Sequence, residues 1–279
     1  MADNGFRCGY AALVGRPNVG KSTLLNRLLG RKVSIVTPKA QTTRHRILGI
    51  DNRDGAQIVF VDTPGLHRGR KNALNRAMNR AATSSMPDAD IVVFLMEALR
   101  WKTEDADVLA KAIGSGRPVI AAVNKVDIVH PRERLLPFIE ELAGRGEFAA
   151  ILPISAKKGS NVEALRTEVI RLLPENPAFF DAGQVSDRSE KFHCAEIIRE
   201  KLMQRLHQEL PYGLTVEIET LEKSAKLARV EAVVWIGRSA HKSIVIGKRG
   251  EQLKKCGQSA RIDLEDFLNQ YLIQNLGYQ

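Results

Sequence analysis

The stretch GRPNVGKS at residues 15–22 decides how the first half of this chain folds. It fits the spacing G-x-x-x-x-G-K-[ST], in which two glycines let the backbone wrap closely around a phosphate. Backbone N–H groups at the start of the following helix then point at the anion. Lys21 is expected to face the β and γ phosphates, and the Ser22 hydroxyl to ligate Mg²⁺. The predicted nucleotide contacts are Gly15, Arg16, Pro17, Asn18, Val19, Gly20, Lys21, Ser22 and Thr23.

Around this loop, short apolar runs alternate with longer amphipathic stretches as far as residue 173. The runs YAALVG, QIVFVDTPG, DIVVFLMEA, PVIAAVNKVD and AAILPIS are typical of strands buried on both faces. Helices are predicted over 21–29, 72–84, 104–113, 131–143 and 161–173. This alternation predicts an α/β fold with a mostly parallel sheet wrapped by helices. Its ligand site should lie beyond the carboxyl ends of the strands.

The segment DTPG at residues 62–65 follows the second buried run, 40 residues after Ser22. Alone, it could be an ordinary strand-ending turn. At this distance from the phosphate loop it predicts a magnesium site at Asp62 and a γ-phosphate contact at the Gly65 N–H. The predicted nucleotide contacts here are Asp62, Thr63, Pro64 and Gly65.

Two further strand ends indicate which base is bound. In NKVD, residues 124–127, a carboxylate at Asp127 can accept two hydrogen bonds from guanine N1–H and its exocyclic amine, which adenine does not offer. SAK, residues 155–157, should present backbone N–H groups to guanine O6. The order of these segments predicts a site that selects GTP over ATP, with contacts from Asn124, Lys125, Asp127, Ser155, Ala156 and Lys157.

The regular alternation breaks in the Pro- and Gly-punctuated stretch after residue 173. We predict a first domain over 1–174, a linker over 175–189 and a second domain over 190–279. The second domain is predicted to be a small α+β unit. Its predicted elements are a helix, the alternating strands LTVEIETLE and ARVEAVVWIG, the apolar stretch HKSIVIG and a final helix from residue 251.

Composition narrows the class of protein. The chain has 279 residues, with 42 Lys and Arg against 32 Asp and Glu, which gives a formal net charge of +10. That balance suits a polyanionic partner, although charge alone does not establish one. The longest strongly apolar run, residues 91–96, is far shorter than the roughly 18 to 20 residues of a membrane span. Three widely spaced cysteines and the absence of a visible secretory signal favour a cytosolic protein without disulfides.

These segments, together with KAQTTRHRILGI at residues 39–50, resemble the Era family of bacterial GTPases. The resemblance implies GTP hydrolysis to GDP with Mg²⁺, held by Ser22, Asp62 and one of two adjacent threonines, Thr42 or Thr43; Thr43, which precedes Arg44, is our choice. It also implies a potassium ion beside Asn18. Leu66 stands where many small GTPases have a water-orienting glutamine. We therefore expect slow intrinsic hydrolysis. The catalytic residue is not identified, and Thr43 and Gly65 are the candidates.

In the second half, GKRG at residues 247–250 and its context resemble a type II KH domain, whose G-x-x-G loop brings the backbone close to single-stranded RNA. The RNA-binding residues so implied are Ile246, Gly247, Lys248, Arg249 and Gly250. The resemblance also implies a last strand and a further helix after the final predicted helix, and the sequence shows no pattern for either; an internal deletion and unobserved residues are both open explanations. The resemblance further implies binding near the 3′ end of 16S ribosomal RNA and a role in assembly of the small (30S) ribosomal subunit.

The expected protein is a monomer in the cytoplasm, with a peripheral position on the cytoplasmic face of the inner membrane as an alternative. Two alternatives for the activity also remain open at this point. In one, the protein is a signalling GTPase whose second domain binds protein rather than RNA. In the other, the first domain binds GTP but does not hydrolyse it.

Overall fold

The computed structural model describes residues 5–37, 39, 42, 45–63, 88–206, 213–224 and 227–276, with the side chains of residue 239 and of residues from 270 onward excepted. The predicted helix over 72–84 lies outside these residues. The chain divides into two compact units. The first comprises Met1–Ser34 and Thr43–Asp187, and the second comprises Ile35–Thr42 and Arg188–Gln279. Residues 35–42, which the sequence placed in the first domain, therefore group with the second unit.

A six-stranded sheet forms the centre of the first unit, in the order β2-β3-β1-β4-β5-β6. Its strands are β1 (Arg7–Val14), β2 (Ile47–Arg53), β3 (Ala56–Asp62), β4 (Ile91–Glu97), β5 (Val119–Asn124) and β6 (Ala150–Pro153). All neighbouring pairs are parallel except β2 with β3. The predicted α/β fold with a mostly parallel sheet is confirmed.

Helices cover both faces of this sheet, as crossover connections between parallel strands require. They are α1 (Lys21–Leu29), α2 (Thr103–Ile113), α3 (Leu135–Ala143) and α4 (Val162–Leu172). α1 and α4 bury Leu25 and Leu165 in the core on one face. α2 and α3 bury Val108 and Leu142 in the core on the other. The first, third and fifth predicted helices match the structure to within one residue, whereas the predicted helix over 131–143 begins its α-helical part only at Leu135.

The sequence did not predict strand β2. It runs antiparallel to β3 and is joined to it by the turn at Asp54 and Gly55, where Gly55 has the left-handed φ of 74°. β2 is buried over its first five residues, and the fifth is the charged Asp51. Its carboxylate is paired with Arg166 of α4 at 2.7 Å. A buried charge interrupts the apolar run, so neither the alternating nor the continuous strand pattern is visible there.

The second unit contains α5 (Glu190–Arg205), β7 (Leu214–Lys223), β8 (Ala228–Ile236), α6 (Lys242–Ile246) and α7 (Glu251–Leu276). β7 and β8 pair antiparallel, and the helices close over one face of this ribbon through Ile197, Ile218 and Leu264. The predicted small α+β domain is confirmed. Among the described residues its sheet has two strands, β7 and β8. No helix in the described part of the chain is both long and apolar enough to cross a membrane.

Candidate functional site

The predicted nucleotide site is assembled from loops at the carboxyl ends of β1, β3, β5 and β6, where a parallel sheet places its ligands. The phosphate loop connects β1 to α1, whose first residue is Lys21. Asp62 ends β3, and Asn124 ends β5. The residues predicted from separate parts of the sequence thus share one edge of the sheet.

Both glycines of the phosphate loop are positions where a larger residue does not fit. A Cβ at Gly15 would lie 2.4 Å from the carbonyl oxygen of Leu95. Gly20 has a φ of 105°, and its Cβ would lie 2.3 Å from Nδ2 of Asn124. Asn18 is left-handed as well, with a φ of 63°. The backbone therefore keeps the tight curvature that exposes N–H groups to a phosphate.

Lys21 folds back over this loop. Its Nζ donates to the carbonyl oxygens of Gly15 and Arg16, both at 3.0 Å, and its side chain is buried. Burial lowers the pKa of Lys21 to about 8, although the nearby Asp62 carboxylate partly opposes that shift. A phosphate at the loop would favour the charged form of this group.

Two of the magnesium ligands predicted from sequence, Ser22 and Asp62, lie together. Oγ of Ser22 donates to Oδ2 of Asp62 at 2.9 Å, and Ser34 donates to the same oxygen at 2.8 Å. Burial raises the pKa of Asp62, against the influence of Lys21 and the two hydroxyls. Oδ1 of Asp62 is buried and accepts no hydrogen bond from the described residues. A hard divalent cation would satisfy this oxygen, so the residues present fit Mg²⁺.

The rest of a magnesium coordination shell has to come from outside these side chains. Among the described residues, no three His, Cys, Asp or Glu residues cluster as a complete metal site. In proteins, waters and substrate phosphates usually supply several of the ligands of Mg²⁺.

On the base side, Asn124 ties two loops together. Its Nδ2 donates to the carbonyl of Val19 at 2.7 Å, and its Oδ1 accepts from the N–H of Ala156 at 2.9 Å. Ser155 donates to Oδ1 of Asp127 at 2.6 Å, and this hydrogen bond holds the half-buried carboxylate in a fixed orientation. Arg27 of α1 donates to the carbonyls of Ala156 and Lys157. The SAK segment is thus fixed from both sides.

The structure adds Glu97, which sequence analysis did not assign to the site. Its Oε2 accepts from Arg16 of the phosphate loop and from Lys125 of NKVD, both at 3.2 Å, and Oε1 accepts from Arg100 at 3.1 Å. Burial opposes ionisation of Glu97, but these hydrogen bonds outweigh it and lower its pKa. The only visible signal was an acidic residue closing the apolar run 91–96.

Arg16 takes a different role from a phosphate ligand. Besides Glu97, its guanidinium contacts Asp105 of α2 at 3.1 Å, and the side chain is buried. The Arg16 side chain therefore ties the loop to β4 and α2, which leaves its backbone N–H as the donor that could face a phosphate. Thr63 is likewise buried, with its hydroxyl donating to the carbonyl of Leu13 at 2.8 Å.

The two candidate switch threonines differ in what the structure describes. Thr42 donates its hydroxyl to the carbonyl of Lys39 at 2.7 Å and lies 2.6 Å from the hydroxyl of Thr37. Its side chain is thus engaged within the second unit. Thr43, Pro64, Gly65 and Leu66 lie outside the described residues.

The second predicted site is the turn between α6 and α7. Gly247 adopts φ 74° and ψ 172°, which only glycine tolerates, and a Cβ there would lie 2.6 Å from Cγ of Gln252. Gly250 is also left-handed, at φ 78°. Lys248 and Arg249 between them are exposed. The loop therefore presents two cations and a closely approachable backbone.

Comparison with known protein families gives two matches, one in each unit. Residues 10–125 match the family described as 50S ribosome-binding GTPase. Residues 209–271 match the KH domain family.

Full-length relatives extend the match across nearly the whole chain. GTPase Era of Marinobacter nauticus is 49% identical over 259 residues, 93% of this chain and 85% of the relative. GTPase Era of Coxiella burnetii is 47% identical over 269 residues, 96% of this chain and 91% of the relative.

Two solved structures are similar as well, both at 38% identity. A variant of Aquifex aeolicus Era bound to GDP and AlF4⁻ has a TM-score of 0.89, covering 94% of this chain and 90% of its own. Era in complex with MgGDPNP and nucleotides 1506–1542 of 16S ribosomal RNA has a TM-score of 0.90, covering 95% and 90%.

Proposed function

The chain belongs to the Era family of GTPases and hydrolyses GTP, and from that premise we propose that it is a nucleotide switch that binds 16S ribosomal RNA near its 3′ end. We further propose that it assists assembly of the small (30S) ribosomal subunit. The observation that supports this most is the GKRG turn inside a KH-type unit, joined in one chain to a guanine-nucleotide site. A similar solved Era is in complex with a 16S fragment.

In the first unit, Asp127 would read the guanine edge, while Asn124 and Glu97 hold the two loops that enclose the nucleotide. Ser22 and Asp62 would hold Mg²⁺, which supplies charge stabilisation for the phosphates when bound. A similar Era structure contains MgGDPNP. The engaged hydroxyl of Thr42 supports Thr43 as the third magnesium ligand.

Several finer assignments remain proposals. The Gly65 N–H and Thr43 are the candidates for sensing the γ-phosphate, and Asn18, with its left-handed backbone in the phosphate loop, is the candidate for holding potassium. We retain the domain limits 1–174 and 190–279 with their linker, a monomeric state and a cytoplasmic location. Peripheral membrane contact stays a prediction.

The RNA assignment is tested by reversing the charge of Lys248 and Arg249 together, both to Asp, in the full chain. We expect affinity for a single-stranded oligonucleotide of the 16S 3′ end to fall about tenfold or more, with a shallower dependence on salt. The matched control replaces Arg132 and Arg134, two exposed arginines of the first unit, with Asp, which changes the net charge equally. Equal affinities for all three proteins would favour the alternative, a second unit that binds protein.

A further inference from the structure

The chain of the first unit turns back on its first helix at residues 30–34. α1 ends at Leu29, and Gly30 follows it with a left-handed φ of 67°, which lets the backbone reverse its direction. Val33 and Ser34 are then 5% and 1% exposed, although neither belongs to a helix or a strand. A buried stretch without secondary structure has to find hydrogen-bond partners for its backbone elsewhere.

Asn26 of α1 provides those partners. Its Oδ1 accepts from the N–H groups of Val33 and Ser34, both at 2.9 Å. Its Nδ2 donates to the carbonyl of Ser34 at 2.7 Å. The side-chain amide thus uses its acceptor and its donor on the same short stretch, and both backbone groups of Ser34 are held. Ser34 therefore has a fixed place beside α1.

Ser22, the predicted magnesium ligand of the phosphate loop, is one turn of α1 before Asn26. Residues at i and i+4 are neighbours on the surface of a helix. A residue held by Asn26 is therefore brought close to Ser22, and the two hydroxyls meet at one atom. Ser22 and Ser34 donate to Oδ2 of Asp62 at 2.9 and 2.8 Å. The spacing within one helix thus places Ser34, which lies outside every motif, against the predicted magnesium site.

The two oxygens of Asp62 are used differently. Oδ2 accepts from both hydroxyls, whereas Oδ1 is buried and accepts no hydrogen bond from the described residues. Two donors on one oxygen fix the plane of the carboxylate, because rotation of the group would lengthen both hydrogen bonds. Oδ1 is thereby left as the oxygen for a cation.

We propose that Ser34 is a positioning residue for the magnesium site, because its hydroxyl holds the Asp62 carboxylate with Oδ1 available. Partners that hydrogen-bond a metal-site carboxylate typically change metal affinity by about 10- to 100-fold when they are removed. Ser22 is less suited to this task, since its oxygen is itself a proposed metal ligand, whereas that of Ser34 is not. This inference rests on the proposed role of Asp62 in holding Mg²⁺.

The test measures how Mg²⁺ changes the affinity of full-length Ser34→Ala for labelled GDPNP. Dissociation constants are measured in EDTA and across a titration with Mg²⁺. Ser115→Ala is the matched control, because Ser115 also belongs to the first unit and its hydroxyl donates to the carbonyl of Ala112 at 2.6 Å, just after α2. Both variants lose one hydroxyl and keep the net charge.

We expect Ser34→Ala to need about tenfold more Mg²⁺ than the wild type to reach half of the gain in GDPNP affinity. In EDTA its affinity should match that of the wild type, since the proposed role acts only through the metal. A loop disturbed by loss of the hydroxyl would bind GDPNP more weakly in EDTA as well. Ser115→Ala should behave as the wild type in both measurements.

An unchanged Mg²⁺ requirement in Ser34→Ala would overturn the proposal. So would an equal rise in Ser115→Ala, or a loss of affinity in EDTA as large as the loss in Mg²⁺. If Ser34→Ala does not fold, Ser34→Cys takes its place with the same outcomes, because its thiol is a small group and a weak donor.

Asp62→Asn separates this inference from the function on which it rests. A wild-type Mg²⁺ requirement in Asp62→Asn would refute Asp62 as a magnesium residue. A raised requirement in Asp62→Asn together with a wild-type requirement in Ser34→Ala would refute only the positioning role of Ser34.

Discussion

The side-chain amide of Asn124 donates to the carbonyl of Val19 at 2.7 Å, across 105 residues of sequence. Because its Oδ1 also accepts from the Ala156 N–H, this one side chain joins the phosphate loop to the SAK segment. This side chain therefore couples the two halves of the nucleotide site.

Replacing Asn124 with Ala should lower affinity for GTP and GDP together, by about tenfold or more, since it leaves two buried backbone groups unpaired at about 1–3 kcal/mol each. Fluorescence titration with a labelled guanine nucleotide measures this. Asn176→Ala is the control, as Asn176 also donates to a backbone carbonyl of the first unit, that of Cys8 at 3.1 Å. Equal nucleotide affinities in the two variants would contradict the coupling.

Gly20→Ala should abolish tight nucleotide binding. The new Cβ would meet Nδ2 of Asn124 at 2.3 Å, and the positive φ adds about 1–3 kcal/mol of backbone strain. Gly144→Ala provides the comparison, because Gly144 has a φ of −73° and the nearest atom to its Cβ would be 3.6 Å away. Equilibrium unfolding and nucleotide titration of both variants check the expectation. Tight nucleotide binding by Gly20→Ala would contradict it, because it would show that the loop accommodates a Cβ at this position.

Asp127→Asn should shift base preference from guanine toward xanthine. Xanthine carries a carbonyl in place of the exocyclic amine, and an asparagine amide can donate to it where the carboxylate could only accept. The hydrogen bond from Ser155 keeps the side chain in place. Competition between GTP and XTP for the variant measures the change. Asp54→Asn, at an exposed turn, should retain guanine preference.

The three cysteines should make stability fall at high pH. All three are buried and free, burial raises each thiol pKa, and that of Cys194 reaches about 11. A raised pKa in the folded state stabilises the fold fully below the unfolded thiol value of 9.0 and loses that effect as pH rises through the folded value. Urea unfolding at pH 8 and pH 10 should show a smaller loss for Cys194→Ala than for the wild type. An identical loss in both proteins would mean that Cys194 ionises while folded.

Much of the first unit could be predicted because its determinants are local. The spacing of GRPNVGKS predicted both a loop and the start of α1, and continuous apolar runs predicted β1, β3, β4 and β5. The order of those runs, and of the polar residues that end them, was enough to predict that Asp62, Asn124 and Asp127 lie at one edge of the sheet.

The features that sequence analysis missed are all long-range. Strand β2 carries Asp51, which is tolerated only because Arg166 arrives from a helix 115 residues away. Ser34 and Glu97 join the site through side chains with no motif of their own. The hydrogen bonds of Val36 and Thr42 to α5 use a backbone amide and a backbone carbonyl, which leave no trace in the identity of the residues that carry them.

The most direct test of the guanine-nucleotide site is phosphate release by the full chain with Mg²⁺ and either GTP or ATP, each measured alongside Asp127→Asn. We expect slow but saturable turnover of GTP, no detectable turnover of ATP, and loss of GTP turnover at the same concentration in the variant. Equal turnover of ATP and GTP, or full GTP turnover by the variant, would contradict the assignment of Asp127 and the loops around it as a site that reads guanine.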